Sequence, residues 1–186
     1  AVFSASPTTR WLPRSAVAPS SVCALSSRLF ALTLCIAGAA AAQPAPDLRE
    51  AARLDQAGRC KESEAIYQRA LAQQTPGPAL LNNTGNHYLI CGQPEKARVY
   101  FERLLQLAPS HANAQLQLAR IALADREFAR AEALLGKLAS ARPNDFEVLL
   151  LWGRAAGRAG HLRKAQEVLA AALWLRPDDP AAMAEA

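Results

Sequence analysis

From Pro44 onward, apolar residues fall three and four positions apart, the spacing of one buried stripe on a helix, and the stripes themselves recur. A comb of 34 residues fits from Pro44 to Asp179 without an insertion. It divides that stretch into repeats 44–77, 78–111, 112–145 and 146–179. Position 8 of successive repeats reads Ala51, Gly85, Ala119, Gly153, and position 20 reads Ser63, Ala97, Ala131, Ala165, so both columns hold only small side chains. Position 24 reads Tyr67, Phe101, Leu135, Leu169, and position 27 reads Ala70, Leu104, Leu138, Ala172, apolar throughout.

Chain breakers keep the same beat. Pro109, Pro143 and Pro177 stand at position 32, and Pro76 one place later in the first repeat, each ending a helix. Position 15 holds Gly58, Gly92 and Gly160, with Arg126 as the exception, and marks a tight turn that suits glycine. Each repeat therefore predicts helix, turn, helix, proline. Small side chains at positions 8 and 20 let the two helices of a hairpin draw close, where a larger group would cost about 1–3 kcal/mol. Positions 24 and 27 share one helix face and fill the seam to neighbouring hairpins. No hairpin can bury its apolar face alone, so stability comes from stacking. Ala, Leu and Arg dominate and long stretches lack Gly and Pro, which favours helix over strand. The expected fold class is all-α, with no sheet.

At these residues the chain resembles the tetratricopeptide repeat family. The clearest matches are Gly85, Tyr88, Ala97, Phe101 and Pro109 in the second repeat, with Trp152, Gly153, Ala165 and Pro177 in the fourth. The resemblance covers residues 44–179. It departs at position 4, where the family's usual aromatic is replaced by Asp47, Leu81, Gln115 and Leu149, and at position 11, aromatic only at Tyr88. The resemblance implies a right-handed α-solenoid of four helical hairpins whose concave wall is built by the first helix of each. Carried over position by position, that wall offers Arg49, then Asn82, Asn83 and Asn86, then Asn113, Gln117 and Arg120, then Glu147, Leu150, Arg154 and Arg158. Amides pair with donors and acceptors of an extended backbone, and Arg grips carboxylates. The expected partner is an extended, mildly acidic peptide or protein segment. The Lys and Asn clamp with which some family members hold a terminal carboxylate is not reproduced, because Leu48, Ala52, Glu147 and Leu151 stand there.

Net charge of +5 suggests nucleic acid until it is divided along the chain. Arg10, Arg14 and Arg28 precede every acidic residue, so the stretch from Asp47 on carries about +2 and no electrostatic footprint for phosphate. Arg28 is followed by an apolar run, Leu29–Ala42, and then by the polar, proline-rich Gln43, Pro44, Ala45, Pro46. Basic lead, short apolar run and small residues at Ala40 and Ala42 match a secretory signal cleaved after Ala42, with residues 1–28 largely unstructured. The run is short of the ~20 residues that span a bilayer. Leu34 stands where a lipoprotein box wants Gly or Ala, which disfavours a lipid anchor at Cys35. The expected organisation is a targeting segment 1–42 and a repeat domain 43–186, secreted or periplasmic. Membrane association enters only through an uncleaved signal or a lipid anchor.

No phosphate-binding glycine loop, paired-histidine helix motif or serine elbow is present. His87, His111 and His161 fall at positions 10, 34 and 16, which predicts scattered histidines without facing carboxylates or cysteines and therefore no metal site or cofactor. Of four cysteines, Cys23 and Cys35 leave with the signal. Cys60 and Cys91 lie near one edge of adjacent repeats, and the reading stays open between a disulfide, limited by the translation between repeats, and two separate thiols. After Asp179 only Pro180–Ala186 remain, too short to cap Val168, Leu169, Leu173 and Trp174 fully, and the reading stays open between a chain that continues further and a partner or second copy that covers that end. The functional expectation is a non-catalytic interaction scaffold. The alternatives are the repeat region of a larger enzyme or an envelope-assembly lipoprotein.

Overall fold

The computed structural model describes residues 47–73 and 75–186. The segment read above as a targeting signal lies outside the described residues. Four helical hairpins follow one another: α1 (Leu48–Gln56) with α2 (Cys60–Gln73), α3 (Pro78–Ile90) with α4 (Pro94–Leu107), α5 (Ala112–Ala124) with α6 (Phe128–Ala141), and α7 (Phe146–Arg158) with α8 (Leu162–Leu175). A short helix, α9 (Pro180–Glu185), follows. Among the described residues there is no strand.

Helix starts are local chemistry. His111 and Asp145, both at position 34, accept backbone N–H bonds from Ala114 and Val148, and Asp179 caps α9 through Ala181 and Ala182. Asp47 does the same for α1, accepting from Arg49 and Glu50. The first helix therefore begins four positions later than its counterparts, and the residue standing where the family prefers an aromatic is a cap instead. At position 15, Gly58, Gly92 and Gly160 adopt φ of +71°, +69° and +87°, and Arg126 is forced into the same left-handed turn at +62°.

The four columns are the core. Ala51, Ala119, Ser63, Ala97 and Ala131 are fully buried, as are Phe101, Leu104, Leu135, Ala70 and Ala172. A Cβ placed on Gly85 would lie 2.7 Å from the Phe101 ring, and one on Gly153 would lie 2.5 Å from Leu169 Cγ. Position 8 thus meets position 24 across each hairpin, and the small column exists because the large one needs its space. Leu81, Phe101 and Leu104 form one cluster with Leu118 and Ile121 of the next hairpin, and Leu135 and Leu138 join Val148 and Leu149 in another. Every seam is therefore shared between neighbours. At the far end α9 packs on α7 and α8 and buries Ala182, while Trp174 stays 82% exposed.

Candidate functional site

Between hairpins two and three, the amides read as a groove lie on α3 and α5 and bond to one another. Asn113 Nδ2 donates to Asn82 Oδ1 at 2.8 Å and to Asn86 Oδ1 at 3.2 Å, and Gln117 Nε2 donates to Asn113 Oδ1 at 3.3 Å. The network leaves Asn82 its N–H donors and Gln117 its carbonyl for another chain. The row continues in charged pairs: Arg120 with Glu147, and Arg154 Nε with Glu185 Oε1 at 2.7 Å. Arg158 and Arg49 are exposed, and Asn83 is half-buried. Arg120 and Arg154, which the sequence presents as free gripping groups, are neutralised by Glu147 and Glu185, and Glu185 reaches Arg154 only through α9.

Two hollows flank this row. One, of about 330 Å³, is lined by Leu123, Ala124, Phe128, Arg154, Arg158 and Glu185. The other, of about 200 Å³, is lined by Ala52, Asp55, Gln56, Tyr67, Asn83, Asn86 and Ile90.

Behind that second hollow the expectation of scattered, unpartnered histidines fails. His87 is fully buried, with Nδ1 2.6 Å from Asp55 Oδ1, 3.2 Å from Ser63 Oγ and 3.6 Å from Cys91 Sγ. Asp55 and His87 lie 32 residues apart, so stacking two hairpins brings near the end of α1 against the same part of α3. Tyr67 Oη donates to Asp55 Oδ2 at 3.2 Å. Burial, reinforced by the Asp55 charge, pushes the Tyr67 hydroxyl above the ordinary tyrosine range. Cys60 and Cys91 are joined in a disulfide with Cα atoms 5.8 Å apart, well within reach of a bridge. The translation between repeats is not limiting here, because Cys60 opens α2 and Cys91 closes α3. His111 is a helix cap, and His161 pairs with Glu132 at 2.7 Å.

Position 21 was not singled out in the sequence, yet it brackets each hairpin to the next. Arg98 pairs with Glu127 at 2.9 Å and with Asp125, and Glu132 pairs with His161. Hydrogen bonds from Arg98 and then Arg130 hold the Glu127 carboxyl below the usual carboxylate range. The signal was an alternation of sign down one column, Glu64, Arg98, Glu132, visible only once the facing groups of the following repeat are known, Lys96 for the first, Glu127 for the second and His161 for the third.

Hairpins repeating every 34 residues, each packing only on its neighbours, define a helical-repeat solenoid. The chain belongs to the tetratricopeptide repeat family, whose sequence profiles match residues 48–111 and 88–156. MamA (residues 41 to the end) from Desulfovibrio magneticus RS-1 superposes with a TM-score of 0.66 at 22% identity, over 71% of this chain and 75% of that one. YrrB, described as a TPR protein with an unusual peptide-binding site, superposes with a TM-score of 0.64 at 19% identity, over 72% of this chain and 69% of that one. At such identities the likeness is one of fold. A Pseudomonas aeruginosa protein named as the probable biofilm formation methyltransferase WspC is 32% identical over 107 residues, 58% of this chain. The chain spans about a quarter of that relative's length.

Proposed function

We propose that this chain is a non-catalytic interaction scaffold that binds an extended peptide segment along the first helices of its hairpins. The carrying observation is the bonded amide row Asn82, Asn86, Asn113, Gln117, which keeps unused donors and acceptors at the spacing of successive repeats. Rigid, mutually bonded amides lose little side-chain entropy on binding, which favours recognition of main chain over a particular side chain. Arg158 and Arg49 favour acidic segments, while Glu147 and Glu185 limit that bias. The two flanking hollows suit anchoring side chains of the bound segment. The disulfide between Cys60 and Cys91 supports a secreted or periplasmic setting, where such bridges persist.

The test is a panel of fluorescent extended peptides of acidic, neutral and basic composition, titrated against wild type and an Asn86→Ala, Arg49→Ala, Arg158→Ala triple variant. Wild type is expected to prefer acidic peptides, and the triple variant to lose that binding while keeping its helicity. Unchanged affinity in a folded triple variant refutes the groove.

A second reading is that these hairpins form the partner-binding region of a larger enzyme. The match to a quarter of a methyltransferase-named protein favours it. Its test is whether the complete reading frame encodes a catalytic domain beside the repeats and whether that domain's activity requires them.

A further inference from the structure

The buried cluster of Asp55, Ser63, His87 and Cys91 behind the hollow concentrates more ligand chemistry than anywhere else among the described residues. His87 Nδ1 carries one proton or one lone pair, enough for one hydrogen bond, but Asp55 Oδ1, Ser63 Oγ and Cys91 Sγ all crowd it within 3.6 Å. The other ring nitrogen, Nε2, is buried with no hydrogen-bond partner. Ligand atoms of Asp55, His87 and Cys91 lie within 4.8 Å of one another, and Cys60 Sγ, bonded to Cys91 Sγ, adds a fourth.

The spacing suits a tetrahedral ion. With metal–sulfur and metal–nitrogen bonds of about 2.3 and 2.0–2.1 Å, a tetrahedral angle separates S and N by about 3.5 Å. The Cys91 Sγ to His87 Nδ1 distance is 3.6 Å. The 2.6 Å gap between Asp55 and His87 would open to about 3.4 Å. Tyr67 already holds the far oxygen of Asp55, orienting the near one. Asp55 and Tyr67 also line the 200 Å³ hollow, which supplies an entry path.

We propose that reduction of the Cys60–Cys91 bridge turns this cluster into a four-coordinate site for a zinc-like divalent cation, held by both thiolates, His87 Nδ1 and Asp55. A dithiol reductant supplies two electrons and two protons to the bridge and leaves as its own disulfide. The cation then displaces the two thiol protons to solvent and takes the Nδ1 lone pair, while the single imidazole proton moves from Nδ1, where it faces Asp55 in the oxidised chain, to Nε2. Disulfide and metal are therefore alternative staples between α2 and α3, so the first two hairpins stay tied under oxidising and reducing conditions alike.

The experiment uses the full chain with Cys23→Ser and Cys35→Ser, reduced by a phosphine and titrated with cobalt(II). The expected result is one cobalt per chain, with thiolate-to-cobalt charge-transfer absorption and the intense visible bands of tetrahedral cobalt, bleached by zinc. The oxidised chain is expected to give neither band. His87→Gln and Asp55→Asn are each expected to weaken cobalt binding tenfold or more, and Cys91→Ser to abolish the charge-transfer band. Absence of tetrahedral bands in the reduced chain, or equal binding by the oxidised chain, overturns the proposal even if the variants fail to fold. Unchanged affinity in folded His87→Gln and Asp55→Asn does so as well.

Discussion

Replacing Gly153 by Ala adds one methyl group at the closest approach of α7 and α8. Glycine inside a helix costs about 0.5–1 kcal/mol relative to alanine, so on propensity alone the change should stabilise. The structure reverses the sign. The new Cβ would lie 2.5 Å from Leu169 Cγ and 2.6 Å from Cδ2, and Cγ is the branch point of a buried side chain, which cannot swing aside as a free end could. Overpacking of this kind costs about 1–3 kcal/mol, which after the propensity gain leaves a net loss centred on about 1 kcal/mol. For a domain of this size that lowers the melting temperature by about 3–6 °C, measured by circular dichroism. Gly157 supplies the control: it lies one turn further on the same face of α7, and its added Cβ would meet Ala165 Cβ at 3.6 Å, an ordinary contact. Gly157→Ala should therefore raise the melting temperature. Leu169→Ala alone should cost about 2–5 kcal/mol, and combined with Gly153→Ala it should recover at least about 1 kcal/mol relative to the sum of the single changes. If Gly153→Ala stabilises as Gly157→Ala does, or if the double variant shows no coupling, close approach at position 8 does not set the packing of the hairpin.

Arg126→Gly should stabilise by about 0.5–1 kcal/mol in urea unfolding, since it removes left-handed strain from a non-glycine residue and Gly returns part of the gain through its own entropy. Stability should fall as pH rises past about 10, because Tyr67 and Tyr88 titrate there when unfolded. In the fold, burial first, and then Asp55 beside Tyr67 and Glu64 beside Tyr88, keep both phenols protonated to higher pH. That stability is complete below the unfolded value and is lost above it, and Tyr67→Phe should flatten the alkaline limb of a denaturation series. Asp179→Ala should cost about 1 kcal/mol of cap stability, read as faster hydrogen exchange at the backbone amides of α9, with loss of the Arg154 to Glu185 pair.

Composition and period alone determined that this chain is a stack of helical hairpins. Glycine or alanine at positions 8 and 20, bulk at 24, glycine at 15 and proline at 32 are each dictated within one hairpin or its immediate neighbour, so their physics is written in the local spacing. Contacts between groups about 30 residues apart were decided by the tertiary structure. His87 reads as one of three scattered histidines until stacking sets it against Asp55 and a bridged Cys91. Arg154 reads as an open binding group until α9 turns Glu185 toward it. Arg98 at position 21 reads as solvated charge until the next hairpin places Glu127 and Asp125 beside it. The reason is one of range. Side-chain volume and backbone propensity act along the chain, whereas pairing of charges, imidazoles and sulfurs depends on the rotation and rise between hairpins, which the repeat length does not specify.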